Sequence, residues 1–428
     1  MNDAYRPRLH YTPRRNWMND PNGLCWFEGE YHLFYQYNPC GDVWGHMSWG
    51  HAVSQDLVHW TELGVAIPER GPEMVFSGSV VVDLENRSGF ARPGQPAPMI
   101  AIYTGHFEGP PRREVQCLAI SHDRGRTFAR YENNPVLDLG LADFRDPKVF
   151  WHEGAARFVM VAAFSTEEKV GFFGSDDMKS WEPLSQYGPD GLAGELWECP
   201  DLVPLAAPGG GCKWMLKVDV FKGGVNGGST GFYRLGDFDG ERFIPDLGGA
   251  WTPLDYGADF YASASFAHLP EEKAPILIGW MSNHAYGAEL PTAPWRGAMS
   301  FARRLELVEA SGGLRVAQIP VESGVFEAPQ TVSLSDGLAL EGAPFKLSLT
   351  FSPADRQDLA LTLDWTSGDR VRLGYDGARH ALYFDRSEAG FLTDRDDYAA
   401  KRYAPLSGRP GASLDLDILV DACSVEMF

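Results

Sequence analysis

The sequence predicts an all-β protein, with a five-bladed β-propeller over residues 1–320 followed by a β-sandwich over residues 326–428. Apolar runs of strand length, separated by Gly, Pro, Asn and Asp, fill roughly the first three hundred residues without long helical periodicity. A composition with 47 glycines and 30 prolines is typical of a turn-rich β protein. A weak repeat of roughly sixty residues divides this region into about five units.

Each repeat is marked by a hairpin in which a short polar turn precedes an aromatic residue. The hairpins are Ser54-Gln55-Asp56 before Trp60, Ser121-His122-Asp123 before Phe128, Ser175-Asp176-Asp177 before Trp181, and Gly236-Asp237-Phe238-Asp239 before Phe243. The interval exceeds the ~40 to 50 residues of common propeller repeats but accommodates four strands with long connections. Such units therefore fill residues 10–320.

Counting back from the hairpins places the first strand of each unit near Asp20, Ser77, Asp146, Glu198 and Tyr261. The innermost strands of a propeller line its central channel, so these five starts should meet at one end of the axis. Three of them are carboxylates, on the first, third and fourth units. The repeat therefore predicts a cluster of three acids in one funnel.

The residues after Asp20 favour a defined backbone at this acid. Pro21 biases Asp20 to an extended conformation, and Asn22-Gly23 predicts a tight turn directly afterwards. An isolated Asp-Pro pair is more typical of a loop-stabilising Asx turn. Two further acids in similar settings favour a chemical role instead, because glycosidic cleavage requires a nucleophile and an acid, with a third group holding the substrate.

Beyond about Glu322 the pattern changes to alternating strands that suit a two-sheet sandwich. The predicted strands include 345–350, 359–363 and 414–420.

Charge and cysteine usage exclude several classes of function. A net charge of −21 argues against a nucleic-acid partner, whose phosphates this surface would repel. No apolar run is long enough to span a membrane, and residues 1–10 lack the apolar core of a secretory signal. A cytoplasmic protein is expected, unless a signal has been removed.

Six cysteines without a repeating spacing indicate reduced thiols rather than a disulfide framework or a zinc site.

No cofactor is expected from the remaining motifs. The histidines show neither an HExxH motif nor a paired Cys/His spacing for a metal. The glycine-rich segment Gly223–Gly228 lacks the strand, helix and lysine context of a phosphate loop. We predict a hairpin loop near the funnel mouth for this segment.

Four segments, in chain order, resemble the signature series of glycoside hydrolase family 32, which contains invertases, inulinases, levanases and fructan exohydrolases. They are Trp17-Met18-Asn19-Asp20-Pro21-Asn22-Gly23, Phe76-Ser77-Gly78-Ser79, Arg145-Asp146-Pro147 and Trp197-Glu198-Cys199-Pro200. Residues 280–283, 294–297 and 420–426 are similar to later family segments. The resemblance implies a five-bladed propeller followed by a β-sandwich. Relatives usually continue for several strands past Ser424-Val425-Glu426, so the sandwich is expected to lack its last strands.

The resemblance implies a role for each acid: Asp20 is the nucleophile, Glu198 the general acid and base, and Asp146 the carboxylate that holds the ring hydroxyls. Apolar neighbours of Glu198 are expected to raise its pKa, and Arg145 is expected to keep Asp146 ionised. Substrate contacts are implied for Asn19, Gln36, Trp44, Phe76, Ser77 and Arg145.

The expected activity is that of a retaining, exo-acting β-fructosidase acting on levan-type or inulin-type fructans, on sucrose, or on both. A fructosyltransferase with the same acids and a noncatalytic sugar-binding propeller are the alternatives. The linkage preference and the oligomeric state are left open. Many fructan-cleaving members carry tryptophan at the position of His284. This residue either lines the funnel, which would then be roomier or wetter, or packs behind its wall.

Overall fold

The computed structural model describes residues 4–225, 227–270, 273–322, 324–326, 331, 338–339, 342–352, 358–408 and 412–428. In these residues nearly all regular structure is β-strand, and the all-β class is confirmed. Single-turn 3-10 helices lie at Glu153–Ala155, Ser165–Glu167 and Gly287–Glu289. None of the helices in the described residues has the length and apolar character needed to cross a membrane.

Five antiparallel sheets follow one another through the described part of residues 16–320. The first two contain β1 (Asn16–Phe27), β2 (Glu30–Tyr37), β3 (Ser48–Ser54) and β4 (Trp60–Ile67), then β5 (Glu73–Val82), β6 (Met99–Phe107), β7 (Arg113–Ser121) and β8 (Ala129–Arg130). The third contains β9 (Phe144–His152), β10 (Arg157–Phe164), β11 (Lys169–Ser175) and β12 (Glu182–Tyr187). The fourth contains β13 (Glu195–Ala206), β14 (Cys212–Lys222), β15 (Thr230–Phe238), β16 (Phe243–Pro245) and β17 (Thr252–Pro253). The fifth contains β18 (Tyr261–Ser265) and β19 (Ile276–Trp280) and, after β20 (Trp295–Arg296), β21 (Arg303–Ala310) and β22 (Gly313–Pro320).

The first strands of the five sheets form a closed ring. β1 contacts β5, β5 contacts β9, β9 contacts β13, β13 contacts β18, and β18 contacts β1. β20 pairs in parallel with β1 through Asn16↔Trp295 and Trp17↔Arg296, so the end of the propeller is joined to its first sheet. Apolar layers between neighbouring sheets form the core; one joins Val81, Ile102 and Phe158, for example. The predicted strand starts thus lie around one axis.

The polar turns mark the last hairpin of the sheets, as the repeat predicts. Ser54 ends β3, and its Oγ accepts from the backbone N–H of Leu57 at 2.9 Å. Asp56 accepts from the N–H of Val58, and the Trp60 indole then donates to the carbonyl of Leu57. These bonds satisfy backbone groups where the chain reverses, which explains why the Ser-x-Asp pattern recurs.

Each of the five innermost strands has an irregular register close to its predicted start. The breaks lie between Met18 and Pro21, Val75 and Gly78, Arg145 and Lys148, Glu198 and Asp201, and Tyr261 and Ala264. Bulges of this kind redirect side chains and are common beside active sites.

The tight turn predicted at Asn22-Gly23 is wrong. Both residues lie inside β1, which continues to Phe27 through a second irregularity. Gly23 has φ +53°, and a Cβ there would lie 2.7 Å from Val80 and 2.8 Å from Phe34. The sequence signal for a positive φ is therefore real, but it serves a bulge against the neighbouring sheet rather than a chain reversal.

The described part of the C-terminal region forms two sheets. Its elements are β23 (Phe345–Phe351), β24 (Leu359–Asp364), β25 (Arg370–Asp376), β26 (Ala381–Glu388), α1 (Asp396–Ala399), β27 (Arg402–Pro405), β28 (Leu414–Val420) and β29 (Val425–Met427). The strand orders are β23-β28-β29 and β24-β25-β26-β27. Leu373 from one sheet and Ile418 from the other share an apolar core. The three strands predicted from alternation are confirmed as β23, β24 and β28.

A buried charged cluster joins the N-terminal segment to the last strands of the sandwich. The His10 imidazole lies 2.9 Å from Asp421 and 3.0 Å from Glu426. Burial alone would lower the pKa of His10, but its hydrogen bonds to these carboxylates raise it to about 9. Glu426 also accepts from Arg303 on β21, so one carboxylate connects three parts of the chain.

Candidate active site

Asp20 lies on β1, and two neighbouring side chains hold its carboxylate oxygens. Ser77 on β5 donates its hydroxyl to Oδ2 at 2.6 Å, and Asn19 donates its amide to Oδ1 at 3.0 Å. The Trp17 indole fixes that amide by donating to its oxygen at 2.8 Å. Asp20 is only 9% exposed. Asn19 and Ser77, both implied as substrate contacts, thus orient the carboxylate.

Asp146 lies on β9, the first strand of the third sheet. Its φ of +63° is unusual for a residue with a Cβ, and its N–H donates to the Thr104 hydroxyl at 3.0 Å. Its Oδ2 accepts from the backbone N–H of Cys199 at 2.9 Å. Burial and the nearby charge of Glu198 raise the pKa of Asp146 to about 8, although Arg145 opposes the shift. The surroundings of Asp146 therefore favour its neutral form more than water does.

The expectation that Arg145 keeps Asp146 ionised is wrong, because the guanidinium is directed to other carboxylates. It donates to Glu198 at 2.8 Å and to Glu114 at 2.9 Å, and it also bonds Asp143. Adjacent residues on a strand point to opposite faces, so sequence proximity does not bring the Arg145 head to the Asp146 carboxylate. Arg145 is a partner of Glu198.

Glu198 on β13 has both carboxylate oxygens bonded. Arg145 donates to Oε1 at 2.8 Å, and the Tyr261 hydroxyl donates to Oε2 at 2.5 Å. The side chain is 15% exposed, so it reaches solvent. The neighbouring Trp197 packs in the core between the third and fourth sheets, and so it does not supply an apolar wall around this carboxylate.

The Cys199 thiol connects the acids at the base of the site. Its Sγ lies 3.5 Å from Oδ2 of Asp20 and 3.6 Å from Oδ2 of Asp146. Burial raises the pKa of this thiol, and the two carboxylates add to the shift. The thiol is therefore a neutral donor, and carboxylates from the first and third sheets reach one point next to Glu198.

Of the other residues implied as substrate contacts, Gln36 is buried and Trp44 is exposed. Gln36 is 2% exposed and donates to the carbonyl of Val75 at 3.0 Å, so it ties β2 to β5. Phe76 stacks on His106 with ring centroids 4.1 Å apart. Trp44 is 46% exposed and meets Phe76 edge-on at 6.0 Å, which gives the site an aromatic side.

Within the described residues, no group of three or more His, Cys, Asp or Glu side chains has an arrangement that could hold a metal ion. The three acids are bonded to Arg, Tyr, Ser and thiol partners instead. This donor set suits proton transfer and nucleophilic attack on an organic substrate.

Models of known protein families match both the N-terminal and the C-terminal part of the chain. A model described as the Glycosyl hydrolases family 32 N-terminal domain matches residues 10–320, and the model for the C-terminal domain of that family matches residues 316–428. The chain belongs to glycoside hydrolase family 32. It is therefore a glycoside hydrolase, with the propeller and sandwich of that family.

Individual family 32 relatives agree over the whole chain. A levanase of Bacillus subtilis (strain 168) is 41% identical over 447 residues, covering 100% of this chain; the chain spans 65% of the levanase. The crystal structure of exo-inulinase from Aspergillus awamori superposes with a TM-score of 0.93 at 35% identity, covering 99% of this chain and 90% of that one. A fructofuranosidase from Schwanniomyces occidentalis complexed with fructose gives 0.86 at 33% identity, covering 100% and 90%.

Several charged residues near the acids lie outside the segments that resemble the family 32 motifs. Glu114 is fully buried between His106 and Arg145, and so connects the Phe76 stack to Glu198. Lys217 and Asp219 form a buried ion pair on β14. Lys217 and Asp219 alternate with apolar residues along β14. The sequence signal for this pair is two opposite charges, one residue apart, within an apolar stretch. Charged side chains are rarely buried without a partner, so such a stretch predicts a buried ion pair.

His284 belongs to the wall beside Glu198 in this family 32 site. Its ring centroid is 4.8 Å from those of Trp280 and Phe221 and 5.3 Å from that of Tyr261, which bonds Glu198. Burial lowers the pKa of His284, although Asp20 and Glu198 oppose the shift. The ring is therefore a neutral, polar surface on this side.

Replacing His284 with Trp should change the preference between sucrose and fructan more than it changes stability. A larger stacking face and a lost ring nitrogen are worth about 1 to 3 kcal/mol in a binding pocket, roughly a 5- to 150-fold change in relative kcat/KM. The measurement is kcat/KM on levan, inulin and sucrose for both proteins. His152→Trp is a control, because His152 packs on Trp214 and Phe238 in outer parts of the propeller. An unchanged ratio in His284→Trp would place this residue outside the substrate path.

Proposed function

We propose that the protein is a retaining, exo-acting β-fructosidase that releases terminal fructose from levan-type or inulin-type fructans and from sucrose. The observation that carries this proposal is the convergence of Asp20, Asp146 and Glu198 on one buried site, each with different partners. Asp20 is bonded by hydroxyl, amide and thiol groups, whereas Glu198 is bonded by a guanidinium and a phenol. Two carboxylates in different surroundings suit two different roles.

Asp20 is suited to attack the anomeric carbon. Ser77 and Asn19 hold its two oxygens at defined positions, so little reorganisation is needed before attack. The resulting covalent fructosyl-enzyme replaces the bond to the leaving oxygen by a bond to the carboxylate. Water then restores the free carboxylate.

Glu198 is suited to move the proton in both steps. It protonates the leaving oxygen as the first bond breaks and takes a proton from the attacking water in the second step. The Tyr261 hydroxyl is both a donor and an acceptor, so it can bond Glu198 in either protonation state. Arg145 balances the negative charge that Glu198 carries between the steps.

Asp146 is suited to hold the ring. One of its oxygens accepts from the Cys199 N–H, which leaves the other for a sugar hydroxyl. A hydrogen bond from a ring hydroxyl to this acid strengthens as positive charge develops in the transition state.

The depth of the acids supports action at a chain end. Asp20 and Asp146 are 9% and 7% exposed, whereas Trp44 on the same side is 46% exposed. A terminal ring can enter such a pocket and leave the rest of its chain against the outer aromatic side. The relatives described as levanase and exo-inulinase support a fructan substrate, and the relative complexed with fructose supports this sugar.

The stereochemistry of the first product tests the mechanism. Sucrose hydrolysed in deuterated water and followed by NMR should release β-fructofuranose before it equilibrates, because two displacements retain configuration. Initial release of the α-anomer would contradict a covalent intermediate on Asp20.

Product analysis on sucrose, inulin and levan tests the substrate class. Fructose should be the only product released from the polymers. Intermediate oligosaccharides at early times would contradict exo-action, whereas longer fructosyl products at high sucrose would identify the transferase alternative. Binding without any product would support the noncatalytic alternative.

A further inference from the structure

Lys217 is a buried cation whose three N–H donors are directed to three acceptors beside the active site. It lies on β14 with a side chain that is 1% exposed. Its Nζ bonds Asp219 on the same strand, the carbonyl of Cys199 at 3.0 Å and the carbonyl of Ser263 at 2.6 Å. An ammonium has three donors, so its bonding capacity is filled by these partners.

The two carbonyls belong to the irregular parts of β13 and β18. Cys199 has φ +47°, and Ala262, directly before Ser263, has φ +51°. The regular ladder is interrupted there, between Glu198 and Asp201 and between Tyr261 and Ala264. A bulge leaves backbone groups unpaired, and a buried carbonyl requires another donor. Lys217 supplies that donor to both bulges at once.

These bulges carry the two partners of a hydrogen bond at the site. Glu198 directly precedes Cys199, and Tyr261 lies two residues before Ser263. The Tyr261 hydroxyl donates to Glu198 at 2.5 Å across the gap between the fourth and fifth sheets. The ammonium therefore joins the two backbones on either side of this bond, without itself bonding the Glu198 carboxylate.

We propose that Lys217, with Asp219 as its buried counterion, is a positioning residue that sets the geometry of Glu198 relative to Tyr261 and thus the proton transfer to the leaving group. This inference rests on the proposed β-fructosidase function. Asp219 lies directly opposite Glu198 in the β13–β14 register and is fully buried. It offsets the cost of burying the ammonium.

Two substrates that differ in their need for a proton separate positioning from general stability. The glucose oxygen of sucrose requires protonation, whereas the phenolate of p-nitrophenyl β-D-fructofuranoside leaves with little assistance. In Lys217→Met/Asp219→Asn, kcat/KM for sucrose should fall at least about tenfold, and kcat/KM for the aryl fructoside about threefold or less. The double variant avoids leaving either charge buried alone.

One further variant keeps the test decisive. Lys217→Arg retains the ion pair, but its planar head cannot place donors at both carbonyls, so the ratio should shift even if the double variant does not fold.

A matched control is the Lys148–Asp201 pair, in which Lys148 bonds Asp201 at 3.2 Å and the carbonyl of Ser265 at 2.8 Å. It joins the third, fourth and fifth sheets further along the inner strands. Lys148→Met/Asp201→Asn should lower Tm while leaving the substrate ratio unchanged. Equal losses on both substrates in folded Lys217 variants, or no loss, would overturn the positioning role. A wild-type protein that cleaves neither substrate would instead contradict the proposed function.

Discussion

Replacing Asp20 with Asn is expected to lower kcat on sucrose and fructans by at least ~10² to 10⁴-fold while the fold is retained. Asparagine has nearly the same shape and can still bond Ser77 and Asn19, but its amide does not form the covalent intermediate. Steady-state kinetics together with a thermal unfolding curve measure both parts of this expectation.

A buried carboxylate remote from the acids provides the control. Asp83 is 3% exposed and accepts from the Ser88 hydroxyl and from backbone N–H groups in the connection between β5 and β6. Asp83→Asn should lower Tm with little change in kcat. Near-normal turnover in Asp20→Asn would remove this residue from the mechanism.

Replacing Glu198 with Gln should lower kcat on sucrose by a similar ~10² to 10⁴-fold, with a different signature. Cleavage of p-nitrophenyl β-D-fructofuranoside should lose much less in its first step, because nitrophenolate departs without a proton. The second step still lacks a base, so fructosyl-enzyme accumulates and a burst of nitrophenolate is expected. Azide, which needs no base to attack, should accelerate turnover and yield β-fructosyl azide.

The same experiment on Asp20→Asn separates the two roles. That variant forms no fructosyl-enzyme, so it should show no burst with the aryl substrate. A burst in Asp20→Asn, or no response of Glu198→Gln to azide, would contradict the assignment of nucleophile and acid/base.

The positions of the inner strands were predictable from sequence because the signals there are local. Asp20 and Asp146 each precede a proline directly, and Glu198 precedes one by two residues. Proline offers no N–H to a ladder, so it suits the interrupted pairing found at these starts. The recurring Ser-x-Asp turns gave the spacing between sheets.

The partners of these acids were not predictable, because they depend on which face each side chain takes. Arg145 and Asp146 are adjacent on β9 and point to opposite faces, and so Arg145 reaches Glu198 rather than the adjacent Asp146. The raised pKa of Asp146 likewise comes from its burial and from the charges of Glu198 and Asp20, which are distant in sequence. The Lys217 contacts join three strands that no local pattern relates.

The parallel pairing of Trp17 with Arg296 has a consequence for how the enzyme acquires its activity during synthesis. Asp20 lies three residues after Trp17. Arg296, the residue that pairs with Trp17, is translated only after nearly all of the propeller. Contacts between such distant positions raise the contact order and require a large loop-closure entropy. A nascent chain that has completed four sheets already contains all three acids, but β1 still lacks its neighbours from the fifth. The surroundings of Asp20 are therefore complete only after the fifth sheet, the last of the propeller to be synthesised, has docked on β1.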